Sequence, residues 1–375
     1  RTTGVIKDAG SGTGCNIVLR NNSAEKKTIT IGVATSKNNI VLASNMIRVP
    51  QTVIGERQIN TNAATYIKKL YSTTQKSTVK NNSITYNTSP SQLLMNDRKG
   101  SSSTGIDAGN IRYYGTNPDN YVYFNCSNYN NPTASTCETW RIIGVFDGKV
   151  KIIRNSNIGT YAWDNMNGSG SNDWSKATLM KLLNQGYTGT GGSLYYNSKS
   201  GSCYAGQNKA TKSCNFTSTG IKNDETRMIS ENNWNLGATN GYTYYPNQYY
   251  TYERGTSVYT GRPTSWIGKI APMYLSDYAY ASDFNKCNKN LQGYTDTNCT
   301  NTNWLKDVYS TAGSIYWTLT PKNSDADGVY DFLPYVGSSV SVGSSGAYNS
   351  FSVAPTVYLN PDTIITSGEG IKDSP

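Results

Sequence analysis

The 375-residue chain contains no histidine. This absence excludes Ser-His-Asp and Cys-His triads, zinc sites with histidine ligands, and histidine as a general acid or base. Charged residues are scarce, at 15% of the chain, and no apolar run approaches membrane-spanning length. We therefore expect a soluble protein, and we predict no catalytic residues.

Tyrosine is abundant instead. The chain has 30 Tyr and seven Trp, which supply enough apolar area for a core, so we do not expect disorder. The formal net charge is +10, yet no Lys/Arg cluster is long enough to indicate a nucleic-acid groove. A basic surface without a dedicated partner explains this charge, and contact with anionic cell-wall polymers is the alternative.

Six of the seven cysteines fall into three close pairs, Cys126/Cys137, Cys203/Cys214 and Cys287/Cys299. The CxxC spacing of zinc sites does not occur, so disulfides that close polar loops are the better interpretation. Disulfides indicate an oxidising, extracellular and cell-surface location. Cys15 is left over; its partner would lie upstream of Arg1 or in another chain, or Cys15 is a buried thiol.

The chain divides into a small β-rich unit at 1–58, which packs on the rest or is part of a larger sandwich, and a larger domain at 59–375. Short β-branched runs separated by polar residues predict strands within 15–22, 27–35 and 38–50. The segment 59–72 then predicts a helix capped by Asn60 or Thr61, because Ala64, Ile67 and Tyr71 share one face.

The larger domain mixes strand signals with long polar loops. "TWRIIGVFDGKVKIIRN" predicts a hairpin whose type I′ turn is Asp147-Gly148. We predict a helix over 172–187, capped near Asp173 or Ser175 and ended by Gly186. We also predict a short helix over 222–234, core segments at 271–281, 315–321 and 354–360, and buried side chains at Trp140, Trp174 and Trp317.

The order of five motifs carries a resemblance. "WRIIGVFDGKVKIIR", "NDWSKATLMKLLN", "IAPMYLSDYAYA", "YWTLTP" and "VAPTVYLN" together resemble a bacterial surface-protein domain of unknown function, over about residues 105–365. That domain is similar to the C-type-lectin-like and formylglycine-generating-enzyme folds. Here Thr320-Pro321 replaces the family's Ser-Pro, and Ala354 replaces the Arg of the closing motif.

The resemblance implies an α+β, C-type-lectin-like domain with small antiparallel sheets, few short helices and long disulfide-pinned loops. It also implies a bacterial or phage surface protein. Related domains are the variable proteins of diversity-generating retroelements, whose C-terminal region is mutated, and the run "VYDFLPYV" at 329–336 departs from the family in that region.

The polar run before the strand at 354–360 predicts a ligand-binding surface. Tyr, Ser, Gly and Asn are the residues that antibody loops favour, because Tyr gives a large contact area at a low entropy cost. The strand would hold this run at the surface for a protein or glycan ligand. The predicted ligand-binding residues are Tyr330, Phe332, Tyr335, Ser338, Ser341, Tyr348, Asn349 and Phe351.

Three other interpretations stay open. Asp325, Asp327 and Asp331 resemble part of a calcium loop, but the Glu that should follow is missing, so a solvated loop is favoured and no metal site is predicted. Glu253 and Asp277 would form the carboxylate pair of a glycan hydrolase, if the fold brought them together across a cleft. A pilin or biofilm-fibre subunit, which would self-assemble through a segment upstream of Arg1, is the alternative to a binding protein.

Overall fold

The computed structural model describes residues 34–35, 40–41, 61–74, 78–80, 83–85, 93–98, 109–185, 192–222, 228–308, 314–336 and 339–375. Within these ranges, 34–35, 40–41, 74, 78–80, 83–85, 332–336 and 339–341 are described by their backbone alone. The chain forms two compact units, residues 1–61 with 364–368, and residues 62–363 with 369–375.

The first unit contains β1 (Ala34–Thr35) and β2 (Ile40–Val41), which pair antiparallel. Most of the segments predicted as strands within 15–50, and Cys15 itself, lie outside the described residues.

The remaining strands follow in chain order. They are β3 (Thr61–Asn62), β4 (Thr78–Lys80), β5 (Ser83–Thr85), β6 (Leu94–Asn96), β7 (Ile111–Tyr113), β8 (Tyr121–Phe124), β9 (Glu138–Phe146), β10 (Lys149–Arg154), β11 (Thr160–Ala162), β12 (Ser200–Gly206), β13 (Ala210–Asn215), β14 (Asn232–Asn235), β15 (Ser265–Gly268), β16 (Ile270–Ala271), β17 (Tyr316–Pro321), β18 (Gly328–Val336), β19 (Ser339–Gly346), β20 (Ser350–Ser352), β21 (Thr356–Tyr358) and β22 (Ile364–Ile365).

A seven-stranded antiparallel sheet forms the centre of the second unit. Its order is β16-β21-β10-β9-β7-β6, and β8 also pairs with β9. The predicted hairpin is confirmed as β9 and β10, and both turn residues have positive φ, 48° at Asp147 and 78° at Gly148, which is the type I′ geometry. Strand β21 pairs with β10 on one side and with β16 on the other, and it is therefore inside the sheet.

A second sheet has five strands in the order β11-β20-β17-β18-β19. Its pairs are antiparallel except for β17 with β20. Two-stranded ribbons, β12-β13, β14-β15 and β4-β5, complete the antiparallel pairs. The predicted α+β class with mostly small antiparallel sheets is therefore confirmed.

The helices of the described residues are short. They are α1 (Ala63–Thr74), α2 (Thr178–Leu183), α3 (Pro246–Glu253), α4 (Leu275–Tyr280), α5 (Thr297–Thr300), α6 (Leu305–Val308) and the 3-10 helices Trp174–Lys176 and Leu291–Thr295. None of the helices in the described ranges is long and apolar enough to cross a membrane.

The helix predictions are right in part. The helix predicted over 59–72 is α1, but its cap is Asn62, whose Oδ1 accepts from Thr65 N at 3.0 Å. Asp173 caps the next helical segment as predicted. That segment ends at Leu183 because Asn184 is extended and its side chain binds Ile270. The prediction of a helix over 222–234 is wrong for its described C-terminal part, because the chain forms strand β14 from Asn232 onward.

The three predicted disulfides are present: Cys126–Cys137, Cys203–Cys214 and Cys287–Cys299. Each closes a segment of 11 or 12 residues, so loops rather than distant elements are linked. Trp140, Trp174 and Trp317 are buried, as predicted.

The core also contains charged side chains. Arg112 contacts Asp97 at 3.0 Å and Asp277 at 3.2 Å, and Lys151 contacts the other oxygen of Asp277. All four side chains are at most 1% exposed. Burial alone would raise the pKa of the Asp277 carboxyl, but Lys151 and Arg112 outweigh burial and hold that pKa below its usual value.

Candidate functional site

Most of the described part of the polar run 336–352 forms strands, Ser339–Gly346 and Ser350–Ser352. Residues Gly328–Val336 and Ser339–Gly346 pair antiparallel as β18 and β19, with Gly328 opposite Gly346. The expectation of a long displayed loop is therefore wrong for this part of the run. The pairing of β19 with β18 holds it as a strand, although Gly is disfavoured in strands and Ser offers little side chain to pack. Phe332, Tyr335 and Ser341 lie on the strands, where only their backbone is described, and Ser338 lies outside the described residues.

Two of the predicted ligand-binding residues pack into the protein. Tyr330 is fully buried, and its hydroxyl donates to Gly241 O at 3.1 Å. Its predicted exposure is therefore wrong, because β18 turns this side chain toward Tyr242 and Tyr249. Phe351 is half-buried, with its ring centroid 4.5 Å from that of Trp317.

Tyr348 and Asn349 lie at the turn between β19 and β20, and both are half-buried. Gln207 donates to Asn349 Oδ1 at 3.4 Å, and Ala347 N donates to Asp327 O at 2.9 Å. These contacts join three turns, and a bond from Asn172 N to Ala326 O at 3.0 Å adds a fourth. We call residues 166–172, 207–209, 323–328 and 347–350 the loop face.

Gly170 fixes the close approach within the loop face. Its φ is +75°, a conformation that favours glycine. A Cβ at this position would lie 2.9 Å from both Tyr348 N and Asp164 O. The 166–172 turn can therefore pack directly on the 347–350 turn only with glycine here.

A pocket adjoins the loop face. The pocket is small, with a free volume of about 10 Å³ or room for one oxygen atom, and its walls include Leu236, Val258, Pro263 and Pro321. Asn172 connects the pocket to the loop face, because its Nδ2 donates to Asp325 O at 2.8 Å and to Gly328 O at 3.2 Å.

Trp174 lines this pocket and carries a polar atom without a partner. Its side chain is 1% exposed, and its indole ring packs on Trp163 and Trp266, with centroid separations of 5.1 and 5.9 Å. Its Nε1–H has no acceptor within the described ranges. A buried donor that makes no hydrogen bond costs about 1–3 kcal/mol, so this site favours a bound oxygen atom.

The mouth of the pocket is basic. Arg262 donates to Asn172 Oδ1 at 3.0 Å and to Ala326 O at 2.9 Å, and no carboxylate pairs with it in the part of the chain that the structure describes. Lys322 lies beside it and pairs with Asp325 at 2.6 Å. Arg262 is thus a fixed positive charge that a ligand could neutralise.

The three aspartates of the calcium interpretation do not converge. Asp325 pairs with Lys322, while Asp331 is 5% exposed within β18 and one of its oxygens has no partner among the described residues. No cluster of three or more potential metal-binding side chains occurs in the described ranges. Burial raises the pKa of the Asp331 carboxyl to about 6, although a hydrogen bond from Ser345 opposes this.

The carboxylate pair of the hydrolase interpretation is closed off. Glu253 and Asp277 are 0% and 2% exposed. Glu253 accepts from Ser276 N at 3.0 Å and from Thr320 Oγ1 at 2.8 Å. A sugar ring cannot reach two carboxylates that are enclosed in this way, so they do not form the cleft that glycoside hydrolysis requires.

The sequence interpretation missed Tyr259 and Arg262 at the pocket. No local motif marks them, because the pocket residues come from four separate segments of the chain. The sequence did place Trp174 in the core, but it did not reveal that the indole N–H has no acceptor among the described residues. No family model matches the chain, and comparisons with the curated proteins and with the solved structures find no match either.

Proposed function

We propose that this chain is an extracellular surface protein of a bacterium or phage that binds a protein or glycan ligand. Its domain at 59–375 is C-type-lectin-like in this proposal, and the loop face with the adjoining pocket is the binding surface. The three disulfides support an extracellular location, because such bonds persist in oxidising environments.

One observation carries the proposal: the buried indole N–H of Trp174, a residue that lines the pocket, has no acceptor among the residues that the structure describes. A ligand oxygen that accepts this hydrogen bond would recover the energy of the unpaired donor. Arg262 at the mouth adds an attraction for negative charge, as does the net charge of +10. The ligand in this proposal therefore carries oxygen acceptors and negative charge, as an acidic glycan or an acidic protein segment does.

Tyr348 would supply the main apolar contact. It is half-buried at the turn of the loop face, and tyrosine offers a large rigid contact area with a polar end. Asn349 and Gln207 beside it offer amide groups for adaptable hydrogen bonds.

The proposal is tested by probing an array of glycans and proteins with the full chain and with Arg262→Gln. The wild type should bind a subset of the array, enriched in acidic members, and Arg262→Gln should weaken those signals at least tenfold. Binding to no member, or equal binding by Arg262→Gln, would refute the proposal. Circular dichroism of both proteins checks that the substitution leaves the fold intact.

A further inference from the structure

The ion pair between Lys151 and Asp277 lies outside the loop face and takes no part in the proposed function. Lys151 is on β10 in the seven-stranded sheet, and Asp277 is on α4, 126 residues further along the chain. Nζ of Lys151 contacts Oδ2 of Asp277, with side-chain exposures of 0% and 1%. The amine and the carboxyl group are therefore in direct contact where bulk water has no access.

Aromatic rings enclose the amine. Its Nζ lies 4.5 Å from the ring centroid of Tyr274, and 5.1 to 5.6 Å from those of Tyr358, Trp234 and Phe146. Two ions in such surroundings have lost their hydration, which costs free energy. The positive partners of Asp277 outweigh that cost at the carboxyl group, but burial remains the larger effect at the Lys151 amine. A reaction that removes both charges would relieve this cost.

The two arginines nearest to this ion pair each keep another carboxylate partner. Arg112 contacts Asp97 at 3.0 Å, and Arg254 contacts Glu253 at 3.5 Å. Loss of the Lys151 and Asp277 charges would thus leave two balanced pairs. Burial also lowers the pKa of the Lys151 amine to about 8, against the opposing effect of Asp277, so its neutral, nucleophilic form is accessible near neutral pH.

Donors surround the carboxyl group where charge would develop. Arg112 Nη1 donates to Oδ1 at 3.2 Å, and the backbone N–H of Tyr274 donates to Oδ2 at 3.1 Å. A donor fixed at Oδ1, as Arg112 is, stabilises the negative oxygen of a tetrahedral intermediate when a nucleophile adds to a carbonyl carbon.

We propose that Lys151 and Asp277 condense spontaneously to an intramolecular amide, an isopeptide bond between β10 and α4. One proton passes from the ammonium group to Oδ2, and the nitrogen lone pair adds to Cγ, which places the negative charge on Oδ1 facing Arg112. A second proton then passes from nitrogen to Oδ2, the bond from Cγ to Oδ2 breaks, and water leaves. The ammonium and the carboxylate supply every atom of the amide and the water, and no oxidant or other reactant is needed.

The test is the intact mass of the full wild-type chain after reduction and denaturation. The proposal predicts a mass lower than that of the sequence by one water molecule, and a peptide digest in which the Lys151 peptide is joined to the Asp277 peptide. The mass of the unmodified sequence would overturn the proposal, whether or not any variant folds.

Lys151→Met is the control, because it removes the amine and keeps the length of the side chain. Its mass should equal that of its own sequence, and on a reducing denaturing gel it should migrate more slowly than the cross-linked wild type. Aspartate followed by glycine, as at Asp147-Gly148, can also lose water by cyclisation. A loss of water that persists in Lys151→Met would therefore overturn the proposal.

Discussion

The ring of Phe351 packs on the ring of Trp317, with 4.5 Å between their centroids. Trp317 is buried in β17, and its indole N–H donates to Tyr161 O at 3.0 Å. Phe351 therefore marks the place where the C-terminal polar run becomes part of the core, and the loop face begins at the neighbouring turn.

The first prediction concerns this aromatic pair. Trp317→Ala should lower the free energy of unfolding by about 3–5 kcal/mol, because it removes a large buried side chain. Chemical denaturation of the two single variants and of the double variant with Phe351→Ala should give a coupling energy of about 0.5–1.5 kcal/mol. A cost of under about 1 kcal/mol for Trp317→Ala would contradict the packing described.

The second prediction separates core from surface within one residue type. Tyr330→Ala should cost about 3–5 kcal/mol, while Tyr348→Ala should cost no more than about 1 kcal/mol. Tyr330→Phe keeps the ring and removes only the hydrogen bond to Gly241, so its cost should be about 1 kcal/mol. Thermal melting measures all three, and equal costs for the two alanine variants would show that the turn is not a free surface.

The third prediction is a pH dependence of stability from Asp331, whose carboxyl has its pKa raised to about 6 in the folded protein. The unfolded value is about 4, so the folded state binds this proton more tightly. The contribution of this carboxyl group to the free energy of unfolding should therefore be greatest below about pH 4. It should fall by up to about 3 kcal/mol as the pH rises through about 6.

Asp331→Asn should remove this fall and make the protein more stable at pH 7. The matched control is Asp325→Asn, since a hydrogen bond from Lys322 lowers the pKa of that carboxyl and gives a dependence of the opposite sign. If Asp331→Asn and the wild type lose stability in parallel between pH 4 and 6, the effect does not come from Asp331.

The fourth prediction concerns the disulfides. Replacing Cys203 and Cys214 with serine should lower the free energy of unfolding by about 3 kcal/mol, as expected for a closed loop of this length. Mass spectrometry of an unreduced digest should find the same three linkages in protein secreted into an oxidising compartment. Six free thiols in that protein would remove the main support for an extracellular location.

Local signals explain which parts of the fold were predictable. Asp147-Gly148 specifies its turn through two positive φ values, so the β9-β10 hairpin follows from a few adjacent residues. The end of α2 does not, because Asn184 is held by Ile270, which is 86 residues away in the chain.

The candidate site was less predictable because it also depends on contacts between residues that are far apart in the chain. Tyr330 looks like Tyr348 in sequence, yet only the pairing of β18 with β17 and β19 decides that Tyr330 lies inside. The loop face and the pocket combine turns from distant segments. A donor such as Trp174 Nε1, which has no acceptor in the described ranges, can be recognised only when its surroundings are known.

The central claim, ligand binding at the loop face and pocket, is tested most directly by titrating the strongest glycan or protein of the array with four proteins. These are the wild type, Tyr348→Ala, Arg262→Gln and Tyr129→Ala, in which Tyr129 is an exposed tyrosine of the 126–137 disulfide loop, outside the loop face. We predict that Tyr348→Ala and Arg262→Gln each make the binding free energy less favourable by about 1–4 kcal/mol. Tyr129→Ala should leave the binding free energy unchanged. Equal affinities for all four folded proteins would contradict the account.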